Sequence, residues 1–129
     1  MFRILFYRVT GMNLCGVFKA LGDDTRLRIL GLLSQRELCE CQLCFTLGIS
    51  QPNASKHLKC LRYAGVIDCR KISQWCFYRI SDDFLARFGA LYTFLTDQWQ
   101  NEAPYQEDGQ NLLYLLRTKK CCGMDLINN

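Results

Sequence analysis

Three of the nine cysteines in this chain fall within six positions, at Cys39, Cys41 and Cys44 in the stretch ELCECQLC. Thiols this close together are typical of three kinds of site: a disulfide framework, a structural metal site or a sensor. The rest of the chain must decide among them.

The number and spacing of the cysteines argue against a disulfide framework. Nine is an odd number, and the spacing does not resemble the scaffolds of small secreted proteins. The first residues, MFRILFYRVTGM, have an apolar run of only Ile4 to Tyr7 and no small-residue cleavage site, so they do not indicate a signal peptide. No apolar run approaches the roughly 20 residues of a membrane span. We therefore expect a cytoplasmic protein, in which clustered thiols bind metals or act as sensors.

Length and hydrophobic patterning predict one main domain. The chain has 129 residues, half of them hydrophobic, enough for a core. Residues 1–11 are an uncertain N-terminal extension ahead of the first regular pattern. Residues 12–100 are predicted to form the main domain. Residues 101–129 are predicted to be a linker, a C-terminal helix and a tail that contains Cys121 and Cys122.

Helical spacing and capping residues predict four helices before residue 65. The first carries Leu14, Val17, Phe18 and Leu21 and ends at Gly22, and Asp23 or Asp24 can cap the second. The third spans about residues 40–47 and stops at Gly48. Ser50 caps the fourth, which has Pro52 in its first turn and ends at Gly65. Residues 40–64 therefore indicate a helix-turn-helix.

A β-hairpin follows directly. The β-prone runs Val66–Ile72 and Trp75–Ile80 flank the polar pair Ser73 and Gln74. Their alternation places Tyr78 and Ile80 on the same side as Cys76, toward the core. A hairpin after a recognition helix makes a winged helix, so the predicted fold is mainly α with a small β-hairpin.

The apolar pattern beyond the hairpin predicts outer dimerisation helices. Apolar residues at helical spacing from Phe84 to Trp99 indicate one long helix, and residues 101–109 indicate a linker. The leucines of NLLYLLRTKK go nearly all round the last helix, which must then be covered on more than one side. Dimerisation satisfies this requirement, and a monomer that packs these helices internally is the alternative.

Charge and side-chain chemistry coincide on the fourth helix and the wing. Residues 55–80 carry six basic and one acidic side chain, whereas residues 81–129 carry four basic and seven acidic ones. Gln and Asn can pair with adenine, Lys can donate to guanine, and small hydroxyls suit phosphates. We therefore expect double-stranded DNA as the partner, with residues 12–100 as the winged helix-turn-helix DNA-binding and dimerisation domain. The candidate DNA-binding residues are Ser50, Gln51, Asn53, Ser55, Lys56, His57, Lys59, Arg70, Lys71 and Gln74. His57 has a second interpretation, as a helix-packing residue.

Four ordered segments resemble the ArsR/SmtB family of bacterial metal-sensing winged-helix repressors, and the arsenic-responsive branch in particular. They are FKALGDDTRLRILGLL, ELCECQLC, SQPNASKHLKCLRYAGVI and RKISQWCFYRIS. The resemblance implies a homodimer on a palindromic operator that leaves DNA when its inducer binds. It also implies that Cys39, Cys41 and Cys44 bind trivalent arsenic or antimony, with no organic cofactor.

Physical chemistry supports this ligand set. Soft thiolates prefer soft ions, and trivalent arsenic is satisfied by three sulfurs, whereas structural zinc normally takes four ligands. Residues two apart on a helix point about 200° apart, so Cys39 and Cys41 cannot share a helix face. Binding must then distort the start of the third helix.

Other cysteines leave alternatives open. Cys15 could complete a four-sulfur site in a cadmium- or lead-responsive repressor. Cys121 and Cys122 are adjacent and could form an auxiliary arsenic site. A redox-sensing repressor, in which an oxidant joins cysteines, also remains. An enzyme is not indicated, because no nucleophile has a recognisable base and orienting partner and no phosphate loop is present.

Overall fold

A winged helix-turn-helix lies at the centre of the computed structural model, which describes residues 12–118. The helices are α1 (Leu14–Leu21), α2 (Asp24–Leu33), α3 (Glu40–Leu47), α4 (Gln51–Tyr63), α5 (Asp82–Arg87), α6 (Gly89–Asn101) and α7 (Ala103–Thr118). The strands are β1 (Leu38–Cys39), β2 (Ile67–Ile72) and β3 (Trp75–Ile80). The predicted fold class is confirmed, and the predicted hairpin gains β1 as a third strand.

Short polar side chains start the helices that carry the site. The Asp23 carboxylate accepts from the Arg26 N–H at 3.0 Å at the start of α2, and the Ser50 hydroxyl accepts from the Asn53 N–H at 3.3 Å at the start of α4. Each cap satisfies a backbone donor that the first helical turn leaves open. Gly48 ends α3 in the left-handed region, at φ 68°, which costs glycine little. The tight turn between α3 and α4 follows from these local signals.

The sheet has the order β1-β3-β2, with both pairs antiparallel. Leu38 lies opposite Tyr78 and Cys39 opposite Phe77, so the cysteine motif begins on an edge strand of the wing sheet. A two-residue turn closes the hairpin, and its Ser73 has φ 59°.

Both faces of β3 are covered, although only one was expected to be. Tyr78 and Ile80 pack against the main core, as the alternation predicts. On the opposite face Phe77 is fully buried, against Cys39 and Leu115 of α7. The period-2 pattern missed this second contact because the covering helix is distant in sequence.

The prediction of one long helix from Phe84 to Trp99 is wrong. Two helices, α5 and α6, meet at Phe88, which has φ −121° and donates its N–H to the Phe84 carbonyl at 2.8 Å. Gly89 follows, and glycine favours helix less than alanine by about 1 kcal/mol. Stacked rings of Phe84 and Phe88, with centroids 5.6 Å apart, hold the bend.

The predicted linker at residues 101–109 is also wrong, because α7 begins at Ala103. Only Glu102 is extended between α6 and α7. Pro104 lies in the first turn of α7, where its missing N–H breaks no helical hydrogen bond. The polar side chain of Asp108 is buried against α2, and Leu112 and Leu115 are buried with it.

Several large apolar side chains remain outside this core. Leu14 and Phe18 of α1 are 60% and 53% exposed, while Val17 of the same helix is buried. Phe94 on α6 and Leu113 on α7 are 59% and 53% exposed. The outer helices therefore bury one face within the chain and leave a second apolar face uncovered. None of the helices in residues 12–118 combines the length and apolarity needed to cross a membrane.

Candidate nucleic-acid interface and cysteine site

The cysteine motif crosses the junction between β1 and α3. Cys39 is the N-cap of α3, with extended backbone angles, and its N–H donates to the Gln42 side-chain oxygen at 2.9 Å. Cys41 and Cys44 lie within α3, three residues apart and therefore on neighbouring positions of the helix surface. Because Cys39 precedes the first helical residue, the helical repeat that sets the directions of the Cys41 and Cys44 side chains does not set that of Cys39.

An apolar cluster covers Cys39. We call it the Phe77 cluster, and its members are Cys39, Phe77 and Leu115, with Cys41, Ile72, Trp75 and Leu116 packed against them. Cys39 is 2% exposed and Leu115 is fully buried. The end of α7 therefore lies over the cysteine motif, and an ion reaches the Cys39 sulfur only after this cover moves.

The three sulfurs are near one another but do not form a ready-made site. Cys41 is disulfide-bonded, so its sulfur is not available to an ion in this state. Burial, the Glu40 carboxylate and the Cys39 sulfur raise the pKa of the Cys44 thiol. Within residues 12–118 no group of three or more histidine, cysteine or acidic side chains is arranged to hold a metal ion.

The other candidate ligands lie elsewhere. Cys15 is exposed on α1, whose main contacts are with α2 and α4 rather than with the cysteine motif. Cys121 and Cys122 lie outside the described residues. The soft donors of Cys39, Cys41 and Cys44 suit trivalent arsenic by chemistry, but coordination requires reduction of Cys41 and a rearrangement around Cys39.

Helix α4 presents one polar face to solvent and one apolar face to the core. Ala54, Leu58 and Leu61 are buried. The predicted contact residues that the structure leaves exposed are Ser50, Gln51, Ser55, Lys56 and Lys59, and Asn53 is half-buried at the same end. This polar set lies along the N-terminal and outer side of α4, the part that a helix-turn-helix protein places in the major groove.

His57 is corrected from a DNA-facing residue to a helix-packing one. It is 6% exposed, and its Nδ1 lies 3.2 Å from an Arg26 guanidinium nitrogen and 3.7 Å from the Asp23 carboxylate. Desolvation lowers the pKa of His57, Asp23 opposes that shift, and Lys56 and Arg26 add to it. The ring is therefore neutral and accepts from Arg26, which ties α4 to the start of α2.

The first residue of α4 is bonded to the cysteine motif. The Gln51 side-chain amide donates to the Glu40 carboxylate at 3.3 Å. Glu40 stands between Cys39 and Cys41 in sequence and is the first residue of α3. A residue expected to read bases thus shares a hydrogen bond with the helix that carries two of the candidate thiols.

The wing is bonded to the same motif. Arg70 of β2 donates to both oxygens of Glu37, at 2.8 and 2.6 Å. Lys71 and Gln74 are exposed near the hairpin turn. Arg79, which the sequence did not single out, is paired with Asp68 at 2.8 Å. Arg70 therefore reaches a phosphate only by giving up or sharing its bond with Glu37.

Glu37 and Glu40 were missed by sequence reasoning, although they flank the cysteines. The sequence does show an acidic residue at each end of the Leu38–Cys39 strand. The partner of Glu37 lies 33 residues away and that of Glu40 lies 11 residues away, so the sequence does not show the pairing. Each of these carboxylates joins the motif to a different DNA-facing element, Glu37 to the wing and Glu40 to the recognition helix.

Comparison with known proteins identifies the family. Residues 23–68 match the model described as bacterial regulatory protein, arsR family. The chain is 39% identical over 108 residues to the arsenical resistance operon repressor of Escherichia coli K12, covering 83% of this chain and 87% of that protein. It is 38% identical over 73 residues to a cadmium resistance transcriptional regulatory protein CadC homolog of Staphylococcus aureus, covering 56% and 60%.

A solved structure agrees with the fold. The homodimeric winged helix-turn-helix DNA-binding domain Mb0332 of Mycobacterium bovis superposes with a TM-score of 0.57 at 32% identity, covering 65% of this chain and 78% of that one. With the matched sequence model and a relative aligned over most of its length, these likenesses identify the chain as a member of the arsR family of bacterial regulatory proteins, a DNA-binding transcriptional regulator and not an enzyme.

Proposed function

We propose that this protein is a cytoplasmic repressor that binds operator DNA as a homodimer and releases it when trivalent arsenic or antimony binds Cys39, Cys41 and Cys44. The observation that carries the proposal is the pair of hydrogen-bonded links from the motif to the DNA-facing elements, Glu37 to Arg70 and Glu40 to Gln51.

The ligand chemistry favours a trivalent metalloid over a divalent cation. Arsenous acid carries three hydroxyl groups, so three thiols replace them with three As–S bonds and release three waters, without net release of protons. A divalent cation instead requires thiolates and displaces protons. The raised pKa of the Cys44 thiol therefore penalises a cation more than it penalises arsenous acid.

The release mechanism follows from burial and from the two links. Cys39 is 2% exposed beneath Leu115, so coordination by all three sulfurs requires displacement of the Phe77 cluster and of the start of α3. Glu37 and Glu40 lie on either side of Cys39 and move with it. Arg70 and Gln51 then lose the positions that suit the undisturbed motif, and the DNA contacts weaken.

The homodimer proposal rests on the uncovered apolar face of the outer helices. Leu14 and Phe18 of α1, together with Phe94 of α6, are more than half exposed. A surface of this kind is typical of a protein–protein interface. The M. bovis relative is described as homodimeric, and a dimer of such domains places two recognition helices on successive major grooves.

Fluorescence anisotropy of the reduced protein on labelled DNA from upstream of its gene tests the proposal. We expect arsenite to release the DNA from the wild type and from the control Cys60→Ser, whose site is a half-buried α4 position beside the core. We expect Cys39→Ser to bind the DNA and to ignore arsenite. A normal arsenite response in Cys39→Ser would refute the assignment of the three cysteines.

Parallel titrations with cadmium, lead and zinc separate the metal alternatives. Release by cadmium or lead but not by arsenite, abolished in Cys15→Ser, would overturn the arsenic proposal in favour of a four-sulfur site. No such role for Cys15 is expected, because its helix packs away from the cysteine motif.

Redox sensing is the second candidate, and the disulfide at Cys41 favours it. A redox regulator would release DNA on addition of peroxide and bind it again on addition of a thiol reductant, with no metalloid present. Arsenite would then leave the DNA affinity of the reduced protein unchanged.

A further inference from the structure

The wing contains two cysteines that the proposed function does not use. Cys69 lies on β2 opposite Tyr78, and Cys76 lies on β3 two residues before Tyr78. Since residues two apart on a strand share a face, Cys69 and Cys76 are diagonal neighbours on one face of the hairpin. Both are free thiols of intermediate exposure.

The two thiols share their surroundings with Tyr78. Cys69 is the direct cross-strand partner of Tyr78, and Cys76 is next to both on the same face of the hairpin. Burial and the neighbouring Cys69 side chain raise the pKa of the Cys76 thiol, and burial raises the pKa of Tyr78 to about 12. The Cys76 sulfur therefore lies in a partly desolvated position between Cys69 and Tyr78.

Diagonal geometry suits a bridging atom better than a disulfide. Diagonal neighbours in an antiparallel pair have Cα atoms about 7–8 Å apart, whereas a disulfide rarely spans more than about 7 Å. Two sulfurs bound to one soft atom lie farther apart than two sulfurs bonded to each other. The hairpin register thus favours an inserted soft atom over oxidation of the pair.

We propose that Cys69 and Cys76 form a two-thiol binding site for monosubstituted trivalent arsenicals, separate from Cys39, Cys41 and Cys44. Such a compound has one organic group and two hydroxyls on arsenic. Two As–O bonds break and two As–S bonds form, and the two thiol protons leave with the two hydroxides as two waters. No oxidant or reductant is needed, because arsenic stays trivalent and the sulfurs are not oxidised.

The surroundings leave room for the organic group. A cleft of about 460 Å³ is lined by Tyr78, the cross-strand partner of Cys69, and by residues of α4. The α4 residues that line it are Ser55, Lys59, Arg62 and Tyr63. The cleft separates the recognition helix from the wing, so a bound arsenical occupies space between the two elements that contact DNA.

The experiment uses phenylarsine oxide, whose hydrate has one phenyl group and two hydroxyls, on the reduced full-length protein. Trypsin cleaves after Arg62, Arg70, Lys71 and Arg79, which separates Cys69 and Cys76 into the peptides 63–70 and 72–79. We expect mass spectrometry under non-reducing conditions to find these two peptides joined through one phenylarsenic group, and a dithiol chelator to separate them.

Matched variants make the result specific. The joined peptides must disappear in Cys69→Ser and persist in Cys60→Ser. They must also persist in Cys39→Ser, which removes the proposed arsenite site and leaves the wing intact, so the two proposals fail independently. Peptides 63–70 and 72–79 that remain unjoined in the wild type, or a wild-type digest with Cys69 or Cys76 still open to alkylation at saturating arsenical, would overturn the proposal.

Discussion

Replacing Arg28 by methionine is expected to destabilise the protein by detaching α7 from α2. Arg28 donates to both oxygens of Asp108, at 2.9 and 2.8 Å, across 80 residues of sequence. The Asp108 side chain is 3% exposed and that of Arg28 is 33% exposed. Methionine keeps much of the aliphatic stem of Arg28 but leaves the carboxylate buried without its partner.

The expected loss of unfolding free energy lies between the values for fully buried and for exposed ion pairs. Removing one partner of a fully buried ion pair costs about 3–5 kcal/mol, whereas exposed pairs contribute about 0–1 kcal/mol. Because Arg28 is one-third exposed, water can reach part of the vacated space. We expect a loss of about 2–3 kcal/mol, a large part of the about 5–15 kcal/mol that stabilises a typical domain.

Urea denaturation followed by circular dichroism measures this change, with Arg62→Met at an exposed α4 position as the control. The loss should appear as a lower midpoint with little change of slope. Alkylation of the reduced protein should also label Cys39 faster, since α7 covers it. A change in unfolding free energy below about 1 kcal/mol would refute the buried-pair reasoning.

Further predictions concern pH, metal choice, coupling and assembly. Because burial lowers the pKa of His57 below the 6.5 of the unfolded chain, the unfolded state binds more protons below about pH 6.5. Stability should then fall as pH drops from there, by at most about 1.4 kcal/mol per pH unit, and urea unfolding of His57→Gln should lack that component. The pKa of the Cys44 thiol is raised, so cadmium must displace thiol protons, and its affinity should weaken about tenfold for each displaced proton per unit that the pH is lowered. Arsenite affinity should stay nearly constant between about pH 6 and 8, and competition titration measures both. Glu40→Ala should reduce the arsenite-induced loss of DNA affinity in anisotropy, while Glu40→Gln, which keeps an acceptor for Gln51, should retain it. Phe18→Glu should shift the protein to monomer in analytical ultracentrifugation, because Phe18 is 53% exposed on α1.

Local signals predicted the part of the fold that carries the site. The bounds of α3 at Glu40 and Leu47 follow from leucine spacing and from Gly48, and the start of α4 follows from the Ser50 cap. These features depend on neighbours within a few residues, which a sequence displays directly.

Features that depend on distant partners were missed. The burial of Phe77 needs Leu115 of α7, and the burial of Asp108 needs Arg28. The reading of residues 101–109 as a linker gave weight to Pro104 and Gly109, but a proline in the first helical turn does not prevent a helix. His57 sits on a polar stretch of sequence, yet its rotation on α4 turns it toward Asp23.

The candidate site was likewise predicted only where it depends on residues close together in the sequence. Cysteine spacing indicates soft-ion chemistry, but the sequence does not indicate that Cys39 lies under an apolar cover. It also does not show that Glu37 and Glu40 hold Arg70 and Gln51, because these bonds form only when the wing and α4 fold onto the motif.

Arsenic K-edge X-ray absorption on the reduced protein with one equivalent of arsenite tests the central claim most directly. Coordination by Cys39, Cys41 and Cys44 predicts a first shell of three sulfurs in the wild type and in Cys60→Ser. It predicts two sulfurs and one oxygen in Cys39→Ser. A full three-sulfur shell in Cys39→Ser would contradict the proposed site.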